Sequence, residues 1–243
     1  MSERTPALKN DSGEAELHEH IRGRAWIADM ALGLSDGMIT SLSFLTGFAG
    51  IIASIQLIRV TGAAAMLAGS VSMFFGGFMA TRADYDLFQA DSDREAYEIT
   101  HEPEEERREL KEFYLRKGLT ENEAETVVKK ITSSKESWLE DMLLHELHLH
   151  RGELGRPLNV GCVLGASFML GAFVPLLPYL LFASKLHAVL ASLIASLLFL
   201  FAVGALRGKI AKKNIWKRGA ETLLIGITGS AILYIIGIFL SFV

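Results

Sequence analysis

Acidic side chains recur along one face of a predicted helix in the middle of the chain. Four of them follow one another at i, i+4, i+7 and i+11, a spacing that places them on one side of an α-helix: Asp91, Glu95, Glu98 and Glu102. Glu106 and Glu109 form a further pair on the next helix. Stacked carboxylates repel by roughly a few tenths of a kcal/mol per exposed pair. A divalent cation between the helices would remove this penalty, although for any single glutamate a solvated acidic surface is the better explanation.

Softer ligands follow in the segment "LEDMLLHELHLH", where one helical face carries Met142, His145, Glu146 and Leu149. Histidine nitrogen and methionine sulfur favour transition metals over Ca²⁺ or Mg²⁺. His145 and His148 are therefore candidate additional ligands, although isolated histidines are more often surface or packing residues.

Glu98 and His101 match the Glu-x-x-His motif of ferritin-like di-iron bundles. Such a site needs two of these motifs and two further glutamates on separate helices, and the sequence offers one motif. A membrane-anchored di-iron oxidase or metal-storage protein remains an alternative function. A structural membrane protein with an acidic, partner-binding domain is a third.

A second set of candidate residues lies in apolar sequence. Asp36 falls within the apolar stretch 32–50, and small or polar residues continue from it along one stripe: Asp29, Gly33, Asp36, Thr40, Ser43 and Gly47. An ionisable residue in a membrane helix faces the bundle interior or a water-filled cavity, so Asp36 is predicted to be functional. Gly33, Gly37 and Ser41 form a neighbouring ridge that permits close helix contact.

The next apolar segment repeats this small-residue spacing at Ser72, Gly76 and Ala80, and Met73 lies beside it. Such ridges mostly indicate tight packing, and a methionine in a membrane helix is usually a packing residue.

Apolar residues and charges are segregated along the chain. Five segments reach the roughly 20 residues that a membrane-spanning helix needs: 26–52, 60–83, 158–182, 187–206 and 219–242. Pro175 and Pro178 are expected to kink the third segment or to end it early. Residues 84–153 carry 20 acidic and 10 basic side chains, which argues against a nucleic-acid partner. A single cysteine, Cys162, excludes an intrachain disulfide.

These patterns predict an all-α integral membrane protein with five transmembrane helices and a cytoplasmic helical domain inserted between helices 2 and 3. The predicted parts are a disordered tail (1–25), helices 1 and 2 (26–83), the acidic domain (84–157) and helices 3 to 5 (158–243). The loop "RGKIAKKNIWKR" has six basic residues and no acidic one, whereas the two opposite loops carry only Arg59 and Lys185. The positive-inside rule then places this loop, the N-terminus and the acidic domain in the cytoplasm, with the loop near anionic lipid.

Within the acidic domain, three new helices are predicted. Pro103 followed by three glutamates favours a helix start. "TENE" at 120–123 and "SSKE" at 133–136 are capping-box patterns, and Gly152 is expected to end the last helix.

The chain resembles the vacuolar iron transporter family from about residue 26 to residue 243. The similarity rests on four segments in order, "LSDGMITSLSFLTGFAG", "GSVSMFFGGFMA", "WLEDMLLHELHL" and "VPLLPY". The resemblance implies a homodimer, not an enzyme, that exports Fe²⁺ from the cytosol in exchange for protons. It implies no prosthetic group, and it implies a vacuolar membrane in a eukaryote or the plasma membrane in a prokaryote.

The resemblance also implies which residues bind the metal. Asp36 and Met73 match the membrane ligands, and Asp29 matches a position nearer the entrance. The matches in the cytoplasmic metal-binding domain are Glu95, Glu98, Glu106, Glu109, Met142 and Glu146. The expected route runs from this domain to Asp29 and then Asp36, where protons displace the metal.

The sequence departs from the family pattern at three positions. Leu143 replaces a second methionine, while His145 and His148 offer nitrogen nearby, so Mn²⁺, Co²⁺ and Zn²⁺ are further candidate substrates. Ala25 and Ala65 stand where acidic residues of plant members are expected, which shifts proton coupling towards Asp29 and Asp36.

Overall fold

The computed structural model describes residues 11–51, 54–146 and 156–240. Over these residues the protein is all-α, with eight helices and no strand. The helices are α1 (Asp11–Ile51), α2 (Ile55–His101), α3 (Pro103–Arg116), α4 (Glu121–Ile131), α5 (Lys135–Glu146), α6 (Pro157–Leu181), α7 (Lys185–Ile210) and α8 (Ile215–Leu240).

The chain divides into two compact units. The described part of the first, here called the acidic unit, comprises residues 11–19 and 80–146. The second, the membrane unit, comprises residues 20–51, 54–79 and 156–240. Helix α2 is continuous over 47 residues and contributes to both units.

Three helices among the described residues are long and apolar enough to cross a membrane: α2, α6 and α7. Helices α1 and α8, with 41 and 26 residues, exceed the roughly 20 residues that a crossing requires. The arrangement with five spans stays a prediction. Helix α1 begins at Asp11 and so includes part of the segment that was predicted to be a disordered tail.

Helix α6 does not end at its two prolines and continues through Pro175 and Pro178 to Leu181. Of the two predicted effects, a kink or an early end, the early end does not occur, and the kink stays a prediction. A proline removes one backbone donor, but neighbouring groups in a bundle can satisfy the carbonyls that it affects. The carbonyls that lose an amide partner in this way are those of Gly171 and Val174, four residues before each proline. The Ser192 hydroxyl on α7 donates instead to the Pro175 carbonyl at 2.7 Å and links α7 to α6 beside the two prolines.

Small residues allow α1 and α6 to pack closely, as the ridge Gly33–Gly37–Ser41 predicts. A Cβ on Gly33 would lie 2.8 Å from the Leu164 carbonyl oxygen, and one on Gly37 would contact the Phe168 backbone. The Ser41 hydroxyl donates to the Ala172 carbonyl at 3.0 Å. A side chain larger than hydrogen at either glycine would push the two backbones apart.

Helix α2 does not pack on α6 through the small-residue ridge that contains Ser72 and Gly76. Ser70 donates to the Gly165 carbonyl at 2.8 Å, and a Cβ on Gly161 would lie 2.7 Å from the Phe74 carbonyl oxygen. Ser72 and Gly76 are exposed instead, and a Cβ on Gly76 would meet nothing within 4 Å. The ridge of Ser72 and Gly76 therefore makes no close helix contact within the described chain.

Arg59, near the start of α2, binds the carboxyl end of α6. Its Nε donates to the Tyr179 carbonyl at 2.6 Å, and its Nη2 donates to the Phe182 carbonyl at 3.1 Å. The last carbonyls of a helix lack amide partners within the helix and carry partial negative charge. The guanidinium supplies hydrogen-bond donors to these carbonyls and a positive charge beside their partial negative charge.

The acidic unit contains the three predicted helix starts. Pro103 opens α3, and Glu123 accepts hydrogen bonds from the backbone and the hydroxyl of Thr120 to form the capping box of α4. Helix α5 begins at Lys135, with the Ser134 hydroxyl accepting from the Ser137 amide at 3.4 Å, so the cap is one residue later than predicted. Gly152 lies outside the described residues.

Candidate metal centre

Three glutamates of the acidic unit form a group that could hold a metal ion. Glu95 and Glu98 lie one turn apart on α2, and Glu106 lies in the first turn of α3. One carboxylate oxygen from each lies within 4.8 Å of the other two. We call this group the glutamate cluster. It is composed of residues that the sequence predicts as ligands.

A break between α2 and α3 brings the cluster together. Glu102 leaves helical geometry with φ −125° and ψ 45°, and Pro103 follows as the first residue of α3. The Glu102 carbonyl still accepts from the amides of Glu105 and Glu106, at 3.0 and 3.2 Å. The chain therefore changes direction within a single residue, and the first turn of α3 returns Glu106 to the side of α2 that carries Glu95.

The cluster lies beside the apolar core of the acidic unit. Glu95 is 2% exposed and Glu106 6% exposed, whereas Glu98 is only half-buried. The buried core residues are Ile99, Leu110, Val128, Trp138 and Met142. Charges are rarely placed at such a depth unless they are paired or coordinate a metal. The arrangement thus offers hard oxygen ligands at a partly dehydrated site, open to solvent on the Glu98 side.

Glu109 lies apart from this group and lines a cavity of about 180 Å³ with Met142 and His145. Glu109 is exposed and Met142 is 5% exposed. Carboxylate, thioether and imidazole thus line one small cavity together with the Arg116 side chain. The thioether and imidazole are ligands that favour a borderline transition metal over Ca²⁺, while the arginine adds a positive charge beside them. The predicted ligands therefore fall into two groups, the glutamate cluster and this cavity. Glu106 belongs to the first and Glu109, one turn later on α3, to the second.

His145 is held by groups that the sequence analysis did not single out. Its Nε2 lies 3.1 Å from Asp141 Oδ2, and its ring stacks on Phe113 with centroids 3.5 Å apart. Tyr114 donates its hydroxyl to the same Asp141 oxygen at 2.9 Å. Partial burial and this bond to Asp141 raise the pKa of Tyr114 to about 12. The contact between Asp141 and His145 could have been predicted from their i, i+4 spacing on α5. No sequence pattern near Tyr114 indicates that it binds Asp141, which lies 27 positions later.

The membrane unit contains the other predicted ligands. Asp29 and Asp36 on α1 are both partly exposed, and the Asp36 carboxylate is hydrogen-bonded to the Thr40 side chain. Met73 on α2 is partly exposed as well.

The predicted small-and-polar stripe of α1 is divided by packing. Gly33 is buried against α6, and Ser43 is buried with its hydroxyl 3.3 Å from the Ser230 hydroxyl of α8. Asp36 and Thr40 remain accessible to solvent. Two of the stripe residues thus serve helix packing, and the aspartate side of α1 stays available to a metal or to a second copy of the chain.

Within the described residues, His101 does not join either of these sites. His101 is exposed, stacks on Tyr97 with centroids 3.8 Å apart and contacts the Tyr97 carbonyl, so the Glu-x-x-His motif does not form a di-iron half-site within the described residues. Glu146 ends α5, and no side-chain geometry is described for it. His148 lies outside the described residues.

Comparison with known proteins identifies the family. Residues 27–238 match the model of the VIT family. The chain belongs to the VIT family. It is 30% identical over 213 residues to vacuolar iron transporter 1 of Arabidopsis thaliana, covering 88% of this chain and 85% of the relative. It is 28% identical over 232 residues to vacuolar iron transporter 1 of Oryza sativa subsp. japonica, covering 93% of this chain and 92% of the relative.

A more distant relative is protein CCC1 of Saccharomyces cerevisiae, 22% identical over 187 residues, or 76% of this chain and 58% of the relative. The Arabidopsis thaliana and Oryza sativa relatives are named as transporters, which confirms the prediction that this VIT-family chain is not an enzyme. The family resemblance inferred from the four sequence segments is confirmed as well.

Proposed function

We propose that this protein transports Fe²⁺ out of the cytosol by exchange with protons, and that it also accepts Mn²⁺, Co²⁺ and Zn²⁺. The observation that carries the proposal is the glutamate cluster, with carboxylate oxygens mutually within 4.8 Å in a chain of the VIT family. Its relatives are named iron transporters. Membrane-crossing lengths in α2, α6 and α7 agree with a transporter in the vacuolar membrane, or the plasma membrane in a prokaryote.

The acidic unit collects the cation from the cytosol in this mechanism. Glu95, Glu98 and Glu106 offer anionic oxygen, and each bound cation offsets the repulsion among them. The cavity with Met142 and His145 adds softer ligands, which favour transition metals.

The membrane step uses Asp29 and then Asp36, with Met73 as a soft ligand that disfavours Ca²⁺ and Mg²⁺. A carboxylate binds either a cation or a proton, so protons arriving from the far side release the metal at Asp36. The partial exposure of Asp36 leaves room for this exchange.

A homodimer formed through α1 and α2 is part of the proposal. Only 11% of the apolar window of α2 is buried, against 50% for α6. Gly47 on α1 and Gly76 on α2 both have open space where a Cβ would stand. Small residues of this kind permit a second helix to approach closely, which supports a partner copy at this face.

Fe²⁺ uptake into proteoliposomes with an acidic lumen tests the function. We expect Asp36→Asn to reduce uptake by at least about tenfold, the loss typical of a disrupted metal site. Glu221→Gln is the matched control, because Glu221 is an exposed membrane-unit acid paired with Arg218 at 2.5 Å. Equal uptake by wild type and Asp36→Asn would remove Asp36 from the path.

A second measurement separates transport from the di-iron alternative. Well-folded protein that takes up no Fe²⁺ but oxidises it with O₂ would favour an oxidase or storage role. Metal-independent stability without transport would favour a structural role.

A further inference from the structure

The ends of α7 and α8 form a basic cavity that the proposed transport mechanism does not use. It has a volume of about 390 Å³, and its lining includes Arg207, Lys213 and Arg218 together with the single acid Glu221. Glu221 is bound by Arg218 at 2.5 Å. Within the described part of the chain, neither Arg207 nor Lys213 has an acidic partner. The cavity therefore keeps a net positive charge and can accept an anion.

Close contact between α7 and α8 fixes the position of these cations. A Cβ on Gly204 would lie 2.6 Å from the Arg218 carbonyl oxygen, and one on Gly208 would lie 3.1 Å from the Arg218 Cβ. The Asn214 side chain accepts from the Trp216 amide at 3.0 Å and fixes the first turn of α8. The cavity thus belongs to packed helix ends.

An apolar groove continues from the basic cavity between α1 and α7. Its volume is about 360 Å³, and Arg207 and Ala211 line both spaces. The rest of the groove is mainly apolar, with Ile27, Ala31 and Ile210 among its lining residues. One side of Arg207 therefore faces positive charge, and the other faces a surface suited to hydrocarbon.

The level of the cavity matches the headgroup layer of a bilayer. Helix α7 is apolar enough to cross a membrane, and Arg207 lies in its last turn. Trp216, in the first turn of α8, is 69% exposed, and tryptophan is enriched where membrane meets water. Basic pockets between membrane helices at this level bind anionic headgroups.

We propose that this paired site binds one anionic phospholipid, with its phosphate in the basic cavity and an acyl chain in the apolar groove. The charge of the cavity selects an anionic over a zwitterionic headgroup. The groove selects a lipid over a free phosphate ion. This site is distinct from the predicted metal ligands of α1, because neither Asp29 nor Asp36 lines the cavity or the groove.

Binding of fluorescent phosphatidylglycerol to the full-length protein in neutral-detergent micelles tests this proposal. The lining triple variant Arg207→Gln/Lys213→Gln/Arg218→Gln should weaken binding by at least about tenfold, since each basic residue near an anionic lipid contributes measurably. The control triple variant Lys209→Gln/Lys212→Gln/Lys217→Gln removes the same charge from the same loop outside both cavities. It should weaken binding by less than about threefold.

Two further arms examine the lipid source and the groove. Unlabelled phosphatidylglycerol should displace the probe, whereas phosphatidylcholine and inorganic phosphate should not. Ala31→Trp, which fills the groove and leaves every charge in place, should weaken binding by about fivefold or more.

Three results would overturn the proposal. Equal weakening by the two triple variants would mean diffuse attraction to the basic loop. Displacement by inorganic phosphate would mean a small-anion site, and displacement by phosphatidylcholine would mean no headgroup selection. Because the competition arms use wild-type protein, they decide the question even if the lining triple variant does not fold.

Discussion

Replacing Glu106 with glutamine tests two effects of its carboxylate: repulsion within the glutamate cluster when no metal is bound, and binding of the metal. Glutamine keeps the shape of the side chain and removes its charge. Two full charges 4.8 Å apart, at an effective dielectric constant near 20, repel by about 3.5 kcal/mol. Solvent at the half-buried Glu98, and the Arg94 side chain 3.9 Å from its carboxylate, relieve much of this repulsion. We therefore expect the metal-free protein to gain about 1 kcal/mol in free energy of unfolding.

The same substitution should weaken metal binding. The site loses one of three anionic ligands, so affinity for Zn²⁺, or for Fe²⁺ without oxygen, should fall by about 10- to 100-fold. Thermal melts of full-length protein in detergent, with a chelator and with metal, measure both effects. The melting temperature without metal should rise, and the increase on adding metal should shrink.

Glu104→Gln is the matched control for Glu106→Gln. Glu104 lies in the same turn of α3, its side chain is 85% exposed and it pairs with Arg107 at 2.5 Å. Both variants lose one negative charge at the positive end of the helix. If Glu106→Gln behaves like Glu104→Gln, with no gain in stability and an unchanged response to metal, the three carboxylates do not form a metal site.

Three further predictions concern packing and protonation. Gly37→Ala should lower the free energy of unfolding by about 1–3 kcal/mol in detergent melts, because its Cβ meets the facing backbone of α6. The stabilising bond from Tyr114 to Asp141 should persist at neutral pH and be lost as pH rises through about 12, which ultraviolet titration of wild type and Tyr114→Phe would detect. Hydrogen bonds from Thr120 lower the pKa of Glu123 below 4.5. Its stabilisation of the start of α4 should therefore be complete above pH 4.5 and be lost as the pH falls through the pKa of the folded protein. Amide exchange in α4 should accordingly depend less on pH in Glu123→Gln than in wild type.

Features with a local cause were predictable from the sequence. Pro103 and the pair Thr120 and Glu123 specify helix starts through backbone geometry and capping, and the structure contains α3 and α4 as predicted. The spacing of Gly33 and Gly37 also predicted a close helix contact, because both residues point to one side of α1.

Features that depend on a facing helix were not predictable in the same way. Glu106 and Glu109 look equivalent in sequence, yet only Glu106 joins Glu95 and Glu98, because the turn at Glu102 decides which part of α3 faces α2. Periodicity gives the sides of a helix but not the neighbour of each side.

The ridge of Ser72 and Gly76 illustrates the same limit of periodicity. It has the spacing of a packing surface, while α6 is contacted instead by Ser70 and Phe74. The Asp141–Tyr114 bond joins two helices through residues 27 positions apart, and no local pattern encodes such a contact.

The two hydrogen bonds of Arg59 can form only late in the synthesis of this protein. Arg59 and its acceptors Tyr179 and Phe182 are separated by 120 and 123 residues. The ribosome synthesises α2 long before α6, so the Arg59 guanidinium is hydrogen-bonded by water or lipid headgroups until the end of α6 has been synthesised. Completion of this bond then marks the moment at which early and late helices have assembled, and a nascent chain stalled before residue 179 would still expose this guanidinium to chaperones and proteases.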